Sequence, residues 1–177
     1  MTSINEYFDF LESYAANHLE VLHSAEAEPH FFRADIDEFE NAYKRGMHFP
    51  AVAALNPSLD TAMQSISNVR LVWRGGLMIM ERIGSPGDFA ERQALEHKCL
   101  GIARDFMLRM INDRQQYAPN QKEHLLAGLD VGSFNLELIP NRYTALTGVL
   151  LQFTFNFPLG RFDESKWDGI SKYTIEP

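Results

Sequence analysis

The chain is expected to fold as α+β: a mostly antiparallel sheet with a long helix and an N-terminal helix packed on one face. Three observations predict this. In residues 147–157, Val149, Leu151, Phe153, Phe155 and Phe157 alternate with Gln152, Thr154 and Asn156, the period of a strand with one buried face. Residues 85–116 open on a capping sequence and then carry an apolar stripe at three- and four-residue steps, which marks a long amphipathic helix. The order is helix, short strand and helix, strands, long helix, two strands, unlike the strict alternation that builds a parallel sheet. Each strand phenylalanine is worth roughly 1.5–3 kcal/mol on burial, and a one-residue slip would turn all of them to water. Strand 147–157 is therefore the expected centre of the core, with its phenylalanine face against the 95–110 stripe.

At 177 residues and 45% hydrophobic, the chain suits one domain and is short for two. We read residues 1–47 as a helical N-terminal part, 48–160 as sheet plus long helix, and 161–177 as a tail. Apolar runs are broken by Arg, Gln or Asn before the ~18–20 residues a membrane span needs. The start Met1-Thr-Ser-Ile-Asn-Glu lacks the basic and apolar regions of a secretory signal. A cytoplasmic protein without membrane contact is expected. The single cysteine, Cys99, has no partner for an internal disulfide and no companions for a multi-cysteine zinc site. A net charge of −8 and a pI near 5.2 argue against nucleic acid, whose phosphates call for a basic patch. Arg70, Arg74, Arg82, Arg92, Arg104, Arg109 and Arg114 are spread along the chain rather than clustered.

Taken in order, residues 3–23 read as a helix with Ile4, Phe8, Leu11, Ala15, Leu19 and Leu22 on one face. Ser3 and Glu6 form a capping box at its start. His18 and His23 stand five apart, which turns them away from a common face, so they read as surface or cap histidines. Residues 30–33 suggest a short strand and 35–45 a short helix ended by Gly46. Asp35 and Asp37 are first-turn acids there, since the calcium loop that would use them lacks its glycine and closing glutamate. Residues 48–57 look extended, and Pro50, lacking a ladder donor, suits an edge. Residues 58–65 read as loop or a turn of helix.

Val69, Leu71 and Trp73 then alternate with Arg70, Val72 and Arg74, and 77–83 resume as strand after Gly75-Gly76. The glycine pair is expected as a hairpin turn, with a bulge as the alternative. Ser85 as N-cap, Pro86 at the first helical position and Asp88 three residues after the cap start the long helix. Its stripe is Leu95, Cys99, Ile102, Phe106 and Met110, backed by Ala103 and Met107. Glu91, Glu96, Lys98, Arg104, Asp105, Arg109 and Asp113 face elsewhere. Cys99 inside the stripe reads as a small buried hydrophobe rather than a nucleophile, and His97, two positions away, lies on a nearly opposite face. Residues 117–124 form a polar connection. Strand 129–139, with Phe134, Leu136 and Leu138 on one face, turns at 140–142 and pairs as a hairpin with 147–157. The tail after Gly160 is polar apart from Phe162, Trp167, Ile170, Tyr173 and Ile175.

Enzyme templates are missing: no nucleophile elbow, helical zinc motif, phosphate-binding loop or dinucleotide fingerprint. No catalytic, cofactor-binding or metal residue is singled out, and no cofactor is expected. The order of segments resembles the small α+β proteins that complete or terminate bacteriophage tails, and related prophage connectors. The resemblance lies in Gly76-Leu-Met-Ile-Met-Glu-Arg-Ile83 running into a capped long helix, in Asn135-x-Glu137-x-Ile139 before a turn, and in Thr147-Gly-x-x-x-x-Phe-x-Phe-x-Phe157 as a closing strand. It spans roughly residues 48–160 as an arrangement. It implies a non-catalytic, ring-forming assembly protein, cytoplasmic or in a phage-like particle, that binds copies of itself head-to-tail and other protein components. The outer strand faces and Phe162, Trp167 and Tyr173 are the candidate contacts. The alternative is a ligand-binding or enzymatic domain with a pocket between sheet and helix, to which Glu137, Arg70 and His48 would contribute.

Overall fold

The computed structural model describes residues 3–33, 47–65, 68–85, 87–117, 125–139 and 145–158. Six strands form one sheet: β1 (Phe31–Arg33), β2 (Ala51–Ala54), β3 (Ser58–Ser65), β4 (Asn68–Arg82), β5 (Leu129–Leu138) and β6 (Leu146–Pro158). Their order is β1-β2-β4-β6-β5, with β3 also paired to β4. Every pairing is antiparallel except β1 with β2. Helices α1 (Ile4–Asn17) and α2 (Phe89–Tyr117) join this mostly antiparallel sheet in the expected α+β arrangement. No helix among the described residues is long and apolar enough to cross a membrane.

The axis is the β4/β6 ladder, unbroken from Arg70 opposite Pro158 to Arg82 opposite Leu146. The expected alternation of β6 holds: Val149, Leu151, Phe153 and Phe155 are buried, Phe157 is half-buried and Gln152 is exposed. Opposite them on the same face stand Ile79, Leu77, Gly75 and Trp73. Cys99, Ile102, Phe106 and Met110 of α2 and Phe8, Leu11 and Ala15 of α1 complete this apolar cluster, so the phenylalanine strand and the helix stripe share one core. A smaller cluster of Phe32, Met47, Ala51, Ala53, Met80 and Leu146 covers part of the reverse face. The β5/β6 pair is the expected antiparallel hairpin, with a register shift between Asp130 and Asn135. Phe134 and Leu136 pack on the core, whereas Leu138 is exposed near the end of the strand.

Gly75 and Gly76 make neither a hairpin nor a bulge; they lie inside the continuous strand β4. The reason is Tyr7. A Cβ on Gly75 would sit 2.6 Å from the Tyr7 hydroxyl and 2.9 Å from the Phe153 ring, so only glycine leaves room for the phenol. Strands β2 and β3 run along the same edge of β4, the first against 77–80 and the second against 68–74. Between them Leu55 N–H still reaches the Gly76 carbonyl, but the Gly76 N–H has no strand partner. It donates to the Tyr7 hydroxyl at 3.1 Å, and that hydroxyl donates to the Leu55 carbonyl at 3.2 Å. The ring is fully buried, and burial raises the phenol's pKa well above its ordinary value against the opposing effect of the Gly76 hydrogen bond, so Tyr7 remains a donor. Gly148 is required by the same kind of contact: a Cβ there would run into the Ile79 carbonyl.

Other expectations are corrected. Segment 58–65 is strand β3 rather than loop. Strand β2 is interior, not an edge; Pro50 precedes its first residue, so no ladder donor is needed from it. Helix α1 keeps its capping box but ends at Asn17, leaving Leu19 85% exposed. Helix α2 is capped by Asp88, whose carboxylate accepts from Ala90 and Glu91 N–H at 2.9 and 3.0 Å. Glu91 reaches back to Gly84 and Ser85 N–H, so Ser85 is an acceptor's partner and not the cap. Pro86, the expected helix 35–45 with Gly46, the connection 118–124 and the turn 140–142 lie outside the described residues. A turn of 3-10 helix, Leu125–Gly128, enters β5.

Replacing Tyr7 by Phe keeps the ring and strands the Gly76 N–H, and should cost about 1–3 kcal/mol. Gly75→Ala should cost a similar amount, about 1–3 kcal/mol, through overpacking. Urea denaturation reads both, and an unchanged midpoint for either variant would contradict the account of this seat.

Candidate functional site: a groove between the helices and an open sheet edge

Where α1 ends, the chain turns sharply. His18 caps the helix in an extended conformation, Val21 and Leu22 N–H bond back to its carbonyl, and Leu22 takes a positive φ of 49°. This turn lays the His18 ring against Phe106 of α2, with centroids 5.5 Å apart and stacked. Its Nδ1 accepts from the Glu20 N–H at 3.2 Å. The other nitrogen, Nε2, therefore carries the proton in the neutral ring and lies 3.5 Å from the Asp105 carboxylate. Between these elements lies a groove of about 590 Å³, lined among others by Phe10, Tyr14, His18, Phe106, Arg109 and Asp113.

The polar end of the groove is built on Asp113. Expected to face away from the core, it is buried, because its carboxylate accepts from the Tyr14 hydroxyl at 2.7 Å and from Arg109 Nε at 2.8 Å. Burial alone would raise its pKa; the hydrogen bonds from Arg109 and then Tyr14 outweigh that and hold the carboxyl below the usual range. Burial, followed by the Asp113 carboxylate, raises Tyr14 well above an ordinary phenol. A carboxylate this satisfied is a poor proton acceptor at neutral pH, and a phenol this raised is a poor acid. The trio joins the two helices and shapes the groove. To an entering molecule the groove offers the rings of Phe10 and Tyr14 and the carboxylates of Glu20 and Asp105, which suits an apolar body carrying a positive charge.

The residues weighed from the sequence are placed as follows. Cys99 is fully buried, and burial, then Glu81, pushes its thiol up to about 12, as expected of a core cysteine. His97 is exposed on α2. His23 is buried rather than at the surface: its Nδ1 accepts from His30 and Phe31 N–H, each at 3.1 Å, and its Nε2 meets Glu12 at 3.2 Å. It ties the turn after α1 to the start of β1. Arg70, Glu137 and His48 are all exposed and are not brought together. Arg70 pairs with Pro158 and Glu137 with Leu150, roughly 25 Å apart along β6, and His48 precedes β2 near the other end of β4. Asp35, Asp37, Phe162, Trp167 and Tyr173 lie outside the described residues. Among the described residues no three His, Cys, Asp or Glu side chains are grouped to hold a metal ion.

The second feature is β3. Among the described residues its only strand partner is β4, and every residue from Ser58 to Met63 is exposed. Leu59 is 56% and Met63 70% exposed. Sequence reasoning passed over both features. The signals were present but short: Arg109 and Asp113 are one helical turn apart, a salt-bridge spacing, and Leu59, Thr61 and Met63 alternate with Ser58, Asp60 and Ala62. Nothing local points from Asp113 to Tyr14.

No protein-family model, curated protein or solved structure matches the chain.

Because the Asp113 carboxyl is depressed in the folded state, the stability it contributes is present above its unfolded value, about 3.9, and is lost as pH falls through the lower folded value. Asp113→Asn should therefore be destabilised by roughly 1–3 kcal/mol at neutral pH, with the gap from wild type closing below about pH 4. Denaturation midpoints of the two proteins between pH 7 and 3 test this; a gap that does not narrow as pH falls below about 4 would contradict it. A thiol reagent at pH 8 should label Cys99 only on unfolding, and fast labelling of native protein would contradict its burial.

Proposed function

We propose that the protein is a non-catalytic assembly protein of a phage-tail-like particle or prophage, of tail terminator or connector type, acting through self-association and contacts with other protein components. The observation that carries this reading is β3, a strand of eight residues with an unpaired outer edge among the described residues and with both faces of Ser58–Met63 open to solvent. Natural edge strands are blunted by lysine, proline or covering elements; β3 contains neither lysine nor proline. Such an edge is a template for another chain. The polar groups at the helix groove support the same reading from the other side, since Asp113, Tyr14 and Arg109 are engaged with one another rather than poised for a reaction.

A second reading has one observation in its favour, the groove of about 590 Å³, a volume suited to a small ligand. It would make the protein a binding domain for a small apolar cation.

Native mass spectrometry and light scattering across a concentration series separate the two. The assembly reading expects mass to rise above one 20.2 kDa chain as concentration rises. A strict monomer at every concentration would overturn it, and a melting temperature raised by a small aromatic amine would then favour the groove.

A further inference from the structure

We infer that β3 pairs antiparallel with β3 of a second copy about a two-fold axis at Thr61, joining two sheets into one; this rests on the assembly reading and names one surface for its self-association. The inference comes from what each register would place face to face. Leu59, Thr61 and Met63 share the side of β3 whose β4 neighbours are Trp73, Leu71 and Val69. Trp73 in turn pairs with Phe155 of the core. An axis at Thr61 sets Leu59 opposite the partner's Met63, and Met63 opposite the partner's Leu59. The apolar row Phe155, Trp73, Leu59 then continues into the partner instead of ending in water.

Charge selects the same register. With the axis at Thr61, Asp60 faces the partner's Ala62, and the two Asp60 carboxylates are diagonal, about 7–8 Å apart at their Cα atoms. Each already has a counter-charge, Arg74 Nη1 at 2.6 Å. An axis at Asp60 would oppose two like charges, which destabilises a strand pair. An axis at Ala62 would oppose Met63 to Thr61 and Leu59 to Ser65, so neither apolar side chain would directly face another. The register shift between Met63 and Ser65 marks where the regular edge ends. Two-fold pairing closes on two copies, so any larger assembly needs another surface.

Disulfide trapping reads the register directly. In the paired strands the two Thr61 Cβ atoms stand roughly 5 Å apart, close to bridging distance, whereas Leu59 lies roughly 14 Å from its own copy. Under mild oxidation Thr61→Cys should give a covalent dimer. Leu59→Cys or Met63→Cys alone should give roughly tenfold less, and an equimolar mixture of those two should give a mixed dimer, because only unlike positions face each other. Thr61 is exposed, so the substitution leaves the core intact, and buried Cys99 keeps wild type as the uncrosslinked control. Oligomers by native mass with no Thr61→Cys crosslink would overturn this pairing and leave the assembly reading standing. Wild type that stays monomeric at every concentration would overturn both.

Discussion

The phenol of Tyr7 sets the geometry on which much of the sheet depends. Strands β2 and β3 lie end to end along one edge of β4, and wherever such an edge is interrupted, backbone donors and acceptors are stranded in the interior. An unmet buried group costs about 1–3 kcal/mol. A single hydroxyl meets two of them, the Gly76 N–H and the Leu55 carbonyl. The same ring touches Phe8, Phe153 and Phe155, so α1 is fixed to the sheet by one side chain that is apolar over its length and polar at its tip. Gly75 exists to admit it.

With α1 held there, its far end must meet α2, and the contact it makes is polar. Asp113 is a charge drawn inside, kept there by Tyr14 and Arg109. A buried carboxylate with two good donors is tolerable where one with none is not. His18 stacked on Phe106 continues the seam. The groove follows from this: two helices joined at intervals by aromatic and charged side chains leave space between the joints, and that space has the size of a ligand site.

Leu59 and Met63 are exposed on the outer strand. On β4 and β6 the alternation of apolar and polar residues is matched by burial, because helices cover one face. On β3 the alternation of Leu59, Thr61 and Met63 has no cover among the described residues, and an uncovered strand edge is the feature that natural sheets usually avoid. The strand is free of lysine and proline, and its one charge, Asp60, is paired with Arg74, so the proposed pairing with another chain meets no unpaired charge there.

The chain's own residues determined the elements with long, regular patterns. The phenylalanine alternation of β6, the stripe of α2, the Ser3 and Glu6 capping box and the burial of Cys99 were all legible, because each is a local rule of period, cap or polarity repeated often enough to outweigh noise. Short or doubly exposed segments were not: β3 lacks a buried face, so its brief alternation resembled a loop, and the last turn of α1 was overread because Leu19 and Leu22 continue the helical spacing past its end. Only the tertiary structure decided that Gly75-Gly76 runs straight through a strand, that Asp113 is buried and that one edge of β3 has no strand partner among the described residues. The first two depend on partners 69 and 99 residues away, Tyr7 with Gly76 and Tyr14 with Asp113, and no spacing rule along the chain encodes which distant side chain will arrive to fill a gap.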